Sequence, residues 1–183
     1  MKHLSNTGKA LLWSCLCYIS MTSTYAQSAM NTYTADNGQP VIIGKSPRAS
    51  LLQQPFQVWY QYQYQQYKPD SIILLGLKEQ QHQYTMQIFL GTWCGDSRRE
   101  VPRILKVLDS CGWDSTRLEL IFVDGRPEHY KQSPQHEEAG KNILRVPTFI
   151  IRKGEKEVGR IIETPTISLE ADLWKIIREG SIP

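Results

Sequence analysis

A cysteine in the setting Gly91-Thr92-Trp93-Cys94-Gly95-Asp96-Ser97 is the residue of this chain best placed to do chemistry. The alternating run Tyr84 to Leu90 predicts a strand, and Gly91-Thr92-Trp93 a tight turn. A helix is then predicted to begin at or beside Cys94 and to continue towards Leu108. The thiol would sit where a helix presents unpaired backbone N–H groups and the positive end of its dipole. Such a position stabilises a thiolate and can take a cysteine pKa from about 8.5 into the range of about 3.5–7.5. Asp96 works in the opposite sense, because a carboxylate beside a developing thiolate repels it. Arg98 and Arg99 can offset that charge, and Ser97, one turn on, can donate its hydroxyl proton to the thiolate. The sequence leaves these influences opposed.

Other chemistries find less support. His82, His129 and His136 lie in different predicted elements with no ligand-like spacing, and Cys94 with Asp96 alone makes no metal site, so neither a metal nor a cofactor is expected. The formal charge of +3 includes Lys2 and Lys9, and residues 27–183 are close to neutral. No basic cluster with interleaved aromatics appears, which argues against a nucleic-acid partner.

The elements that must position Cys94 can be read in order. Met1 to Lys9 is short and basic, Ala10 to Met21 mostly apolar, and Thr24-Tyr25-Ala26 ends in a small residue. This is the build of a secretory signal peptide, residues 1–26, and implies a periplasmic or secreted protein. The apolar run is well short of the roughly 20 residues of a spanning helix, so no membrane span is expected. A lipoprotein acylated at Cys15, within Leu12-Trp13-Ser14-Cys15, is the weaker alternative because Trp13 is bulky for that motif. Export places the remaining cysteines, Cys94 and Cys111, in an oxidising compartment. Residues 27–47 read as a flexible, turn-rich segment with Val41-Ile42-Ile43 pinned to a surface, and residues 48–183 as one domain.

Within that domain, Phe56, Trp59, Tyr60, Gln63, Tyr64 and Tyr67 recur at spacings of three and four, predicting a helix with an aromatic core-facing side. A strand of period two is the alternative for the same glutamine-rich run. Asp70 can cap a second helix, to about Gln80, with Ile72, Ile73 and Leu75 towards the core. After the Cys94 helix, with Val101, Ile104, Leu105 and Leu108 buried and a kink at Pro102, Leu118 to Val123 predicts another strand. Gln135 to Asn142 reads as a short helix. Thr148 to Arg152 and Glu157 to Ile162 are paired strands about a Lys153-Gly154-Glu155 turn, and Ser168 caps a final helix stopped by Gly180. Arg160 is placed to hold Glu163 or a substrate carboxylate, with a solvated strand-end pair as the favoured alternative. The fold class is α/β, with a central mixed β-sheet flanked by helices and extra helices at the N-terminus.

Trp93-Cys94-Gly95-Asp96-Ser97, Pro102 eight residues after the cysteine, Val146-Pro147-Thr148 ahead of a strand, the hairpin and the closing amphipathic helix together resemble the thioredoxin superfamily. The similarity runs from about Tyr84 to Gly180, with Leu51 to Gln80 as the extra helices of exported members. The resemblance implies that Cys94 is the attacking cysteine and that Trp93 shields one side of its thiol. It also implies that Pro147 follows a cis peptide bond beside Cys94, and that the Val146-Pro147-Thr148 turn receives an extended substrate, Val146 through its backbone. Two departures bear on function. Ser97 stands in place of the second cysteine and Asp96 in place of the intervening proline, while Ile88 matches the buried acid of many relatives. A dithiol reductase needs that second sulfur to free itself from a mixed disulfide. Cys111 is no substitute, since a helix of that length places it roughly 25 Å from Cys94. The resemblance therefore implies a monomeric, monothiol thioredoxin-like protein, with protein or small-molecule thiols and disulfides as partners. A non-catalytic binding or scaffold protein on the same fold is the alternative.

Overall fold

A computed structural model describes residues 31–180, so the expected signal peptide, Cys15 and Cys17 lie outside the described residues. A two-stranded hairpin, β1 (Thr32–Thr34) and β2 (Pro40–Ile42), precedes a five-stranded sheet. The sheet contains β3 (Gly44–Lys45), β4 (Thr85–Leu90), β5 (Leu118–Phe122), β6 (Thr148–Lys153) and β7 (Lys156–Ile162) in the order β3-β5-β4-β6-β7. Only β4 and β5 run parallel, with Met86 to Leu90 opposite Leu118 to Phe122; β3, β6 and β7 pair antiparallel with their neighbours. Among the described residues four α-helices flank the sheet: α1 (Phe56–Gln66), α2 (Ser71–Gln80), α3 (Gly95–Ser110) and α4 (Leu169–Gly180). The α/β architecture with a mixed central sheet is the one expected. No helix among the described residues is long and apolar enough to cross a membrane.

Residues 32–45 form the hairpin and an edge strand, and they include the Val41-Ile42-Ile43 run expected to be pinned to a surface. Val41 and Ile42 are buried, and ladder pairing from Thr32 to Lys45 satisfies the backbone groups that a loose segment would leave to water.

The α1 aromatic pattern is helical, with Phe56 and Tyr60 buried and Trp59, Tyr64 and Tyr67 packed at the core margin. Arg48 anchors this face: its Nε donates to Tyr60 Oη at 2.6 Å and its guanidinium reaches both oxygens of Asp109 on α3. In α2 the Asp70 carboxylate accepts from the Ile72 and Ile73 N–H groups, as a cap should. Its buried side is only partly the one expected: Ile73 packs at the core margin, but Ile72 and Leu75 are exposed, and Leu77 is buried with Leu74 at the margin. Gly76 explains the rotation, since a Cβ there would lie 2.8 Å from the Trp174 indole of α4. The close approach of the two helices turns that side of α2 inward.

Two apolar clusters occupy the two faces of the sheet. Met86, Ile88, Leu90, Phe122, Phe149 and Ile151 join the helices on one face. Phe89, Ile121 and Ile150 lie on the other with Val123, Ile143 and Val146. That second face is covered by the segment between β5 and β6. The helix expected over Gln135–Asn142 is absent there, replaced by turns with positive φ at His136, Gly140 and Asn142. Glu138 accepts from both the N–H and the hydroxyl of Ser133, while Ser133 Oγ accepts from the Glu137 N–H. These local bonds compete with a helical ladder.

Candidate functional site

The thiol site is assembled at the C-terminal ends of β4 and β5. β4 is apolar and buried up to Leu90, and the chain then turns sharply, with the Cys94 N–H donating to the Gly91 carbonyl at 3.0 Å. Cys94 has extended backbone angles (φ −88°, ψ 127°) and is the N-cap of α3, its own carbonyl accepting from the Arg98 N–H. The helix runs through Pro102 and buries Val101, Ile104, Leu105 and Leu108, the residues its periodicity selects.

Cys94 is half-buried, and its Sγ lies 3.1 Å from the Val146 carbonyl oxygen, which the thiol proton bonds. The Val146–Pro147 peptide bond is cis, and both residues are buried. Thr148 Oγ1 donates to the Arg145 carbonyl at 2.6 Å, and the Glu163 N–H donates to the Pro147 carbonyl at 2.7 Å, so the turn is braced from both sides. Cys94, Trp93, Val146 and Pro147 are thus brought together from stretches far apart in the chain, and Thr148 stands directly behind them.

Trp93 lies flat over two glycines. A Cβ on Gly91 would come within 2.5 Å of the indole, and one on Gly125 within 2.9 Å. The indole N–H donates to the Val123 carbonyl at 2.9 Å, and the Tyr130 ring tilts against it with centroids 5.4 Å apart. Trp93 and Cys94 pack against the same apolar cluster on the second face of the sheet.

Ser97 is buried, and its Oγ accepts from the Gly91 N–H at 3.2 Å, which braces the turn before Cys94. Asp96 is ion-paired with Arg99 at 2.7 Å, which offsets its charge, while Arg98 donates through Nε to the Thr92 carbonyl at 2.6 Å. Glu100, buried one turn further along α3, pairs with both Arg99 and Arg103. Arg160 pairs with Glu157 and reaches the Lys141 carbonyl, and Glu163 pairs instead with Arg145.

Sequence reasoning overlooked Asp124, Gly125, Arg126 and Tyr33. Asp124 is only 3% exposed and accepts from the Arg126 N–H and guanidinium. Burial pushes its carboxyl up, but the Arg126 hydrogen bonds outweigh burial and hold it below the ordinary carboxylate range. Asp124-Gly125 closing a buried strand was the one visible signal. Cys111 lies at the far end of α3, almost wholly enclosed, and burial pushes its thiol up to about 11. Among the described residues no group of three or more His, Cys, Asp or Glu side chains converges to hold a metal ion.

No protein-family model matches the chain, and no curated protein matches it. Solved structures do. A 1.5 Å crystal structure of a protein of unknown function from Pseudomonas aeruginosa superposes with TM-score 0.53 at 14% identity, over 75% of this chain and 92% of that one. An HIV epitope-scaffold superposes with TM-score 0.55, also at 14% identity, over 74% of this chain and 93% of the scaffold. At that identity the likeness is one of fold.

Proposed function

We propose that the chain is a thioredoxin-like protein of the monothiol kind, exported to the cell envelope, whose Cys94 undergoes thiol–disulfide exchange. The observation that carries this reading is the placement of a half-buried thiol at the N-cap of α3, 3.1 Å from the carbonyl that precedes cis-Pro147. Asp96, the acidic residue nearest the thiol in sequence, is ion-paired with Arg99 rather than left unpaired beside it.

The exchange balances without a cofactor. The Cys94 thiolate attacks one sulfur of a disulfide R–S–S–R′, forming Cys94–S–S–R and releasing R′–S⁻, which takes up a proton. An external thiolate R″–S⁻ then attacks the R sulfur, giving R–S–S–R″ and restoring the Cys94 thiolate. Ser97 cannot perform the second attack, so a protein or small-molecule thiol must. The protein ends each cycle in its starting redox state, which suits exchange or isomerisation of disulfides rather than net oxidation.

Incubation with oxidised glutathione followed by site-resolved mass spectrometry tests this. A glutathione adduct confined to Cys94, removed by reduced glutathione and lost in Cys94→Ser, is the expected result. No adduct at Cys94 would leave the second reading, a non-catalytic binding protein on the same fold. One feature favours that reading: the Val146 carbonyl, which would otherwise face an extended partner, is engaged by the Cys94 thiol.

A further inference from the structure

The β1–β2 hairpin stands apart from the main sheet yet grips both loops that carry the thiol site. From β2, the Ile42 N–H donates to Thr92 Oγ1 at 3.3 Å, two residues before Cys94. From β1, Tyr33 reaches the loop after β5, where its hydroxyl oxygen accepts the Gly125 N–H at 3.3 Å. The Arg126 guanidinium lies 4.3 Å from the Tyr33 ring centroid, and Asp124, the residue before Gly125, binds that guanidinium directly.

Gly125 is the floor on which the Trp93 indole rests, with space for hydrogen and none for a methyl group. The indole N–H is held by the Val123 carbonyl two residues earlier, so the loop after β5 sets both the height and the tilt of the ring. A chain of contacts therefore runs from Tyr33 through Gly125 to Trp93, the residue that precedes Cys94.

We infer that Tyr33 is a positioning residue for the thiol site, setting through Gly125 how closely Trp93 covers Cys94 and hence how readily that thiol meets an electrophile. The inference rests on the proposal that Cys94 is the reactive thiol. Its test uses an alkylating reagent, so it stands or falls separately from disulfide exchange.

The experiment is the rate of Cys94 alkylation by iodoacetamide in the full chain, read site by site with mass spectrometry. Tyr33→Phe keeps the ring against Arg126 and removes the oxygen that holds Gly125. Its expected effect is an acceleration at Cys94 of about fivefold, the size of one ordinary hydrogen bond lost from the covered state. The buried Cys111 serves as an internal reporter and should keep its slow rate, because general loosening would accelerate both cysteines. Tyr62→Phe, on the exposed side of α1, should change neither. In a Trp93→Ala background Tyr33→Phe should add nothing, since the group it acts through is gone. A Cys94 rate within twofold of the parent overturns the inference. So does equal acceleration of Cys94 and Cys111, or the same acceleration with and without the Trp93 indole.

Discussion

Replacing Gly125 by alanine tests the packing of the thiol site more sharply than any change to the thiol itself. The new methyl carbon would lie 2.9 Å from Cδ1 and Cγ of Trp93 and 3.0 Å from Cδ2. Ordinary carbon–carbon contact is about 3.5–4.0 Å, so the indole must rise by roughly half an ångström or more. It cannot do so freely, because its N–H is tied to the Val123 carbonyl at 2.9 Å. Overpacking of this kind costs about 1–3 kcal/mol, and stretching the tie adds up to about 1 kcal/mol. The stiffer unfolded chain returns about 0.4–1 kcal/mol, leaving a net loss of about 1–3 kcal/mol. Gly95→Ala is the matched control: nothing lies within 4 Å of its Cβ, and the residue opens α3, so it should stabilise by about 0.5–1 kcal/mol. Urea unfolding of the two variants should therefore move the midpoints in opposite directions, with unchanged slopes. If Gly125→Ala proved as stable as Gly95→Ala, the account of Trp93 as a ring clamped over glycine would be wrong.

Other consequences follow from the same geometry. Asp124 is held below the ordinary carboxylate range in the fold, so it contributes stability above its unfolded pKa and loses it as pH falls through the folded value. Asp124→Asn should flatten the acid limb of a stability–pH curve below about pH 4 relative to the parent, in which Asp109 and Glu119 titrate in the same window. Cys111 has the opposite sign: its thiol rises from 9.0 to about 11 on burial, so stability should fall as pH climbs through that interval, and Cys111→Ala should remove the decline. Asp70→Ala deletes the two-bond cap of α2 and should cost about 1 kcal/mol, measured by urea unfolding.

The parts of the fold legible in the sequence are those that strong patterning dictates. β4, α3 and α4 carry unbroken apolar periods, and Asp70 announces its helix through a side chain that binds the next N–H groups. Cys94 and Val146-Pro147 could be named as a pair only through the resemblance of their motifs to a known family, since no spacing or periodicity links them. The Gln135–Asn142 segment was not legible, because Ser133 and Glu138 outcompete the helical ladder through bonds that periodicity does not register. The direction of Ser97 was hidden for another reason. Helical spacing places it one turn from Cys94, but only the folded turn shows the Gly91 N–H waiting on the other side. Tyr33 is the hardest of these residues to foresee. It lies far from Trp93 in sequence, in a stretch rich in turn-formers, and acquires its role only when the hairpin folds over the strand ends.

The central claim is that Cys94 is a nucleophile built by the fold rather than a solvent-facing thiol that happens to be present. The direct measurement is the rate at which Cys94 forms a mixed disulfide with oxidised glutathione at pH 7, compared with the same cysteine in the urea-unfolded chain. The account predicts that the folded protein reacts faster by about threefold or more, with Cys111 silent in the fold. A folded rate equal to or below the unfolded one would contradict it and leave the α3 N-terminus as a structural junction.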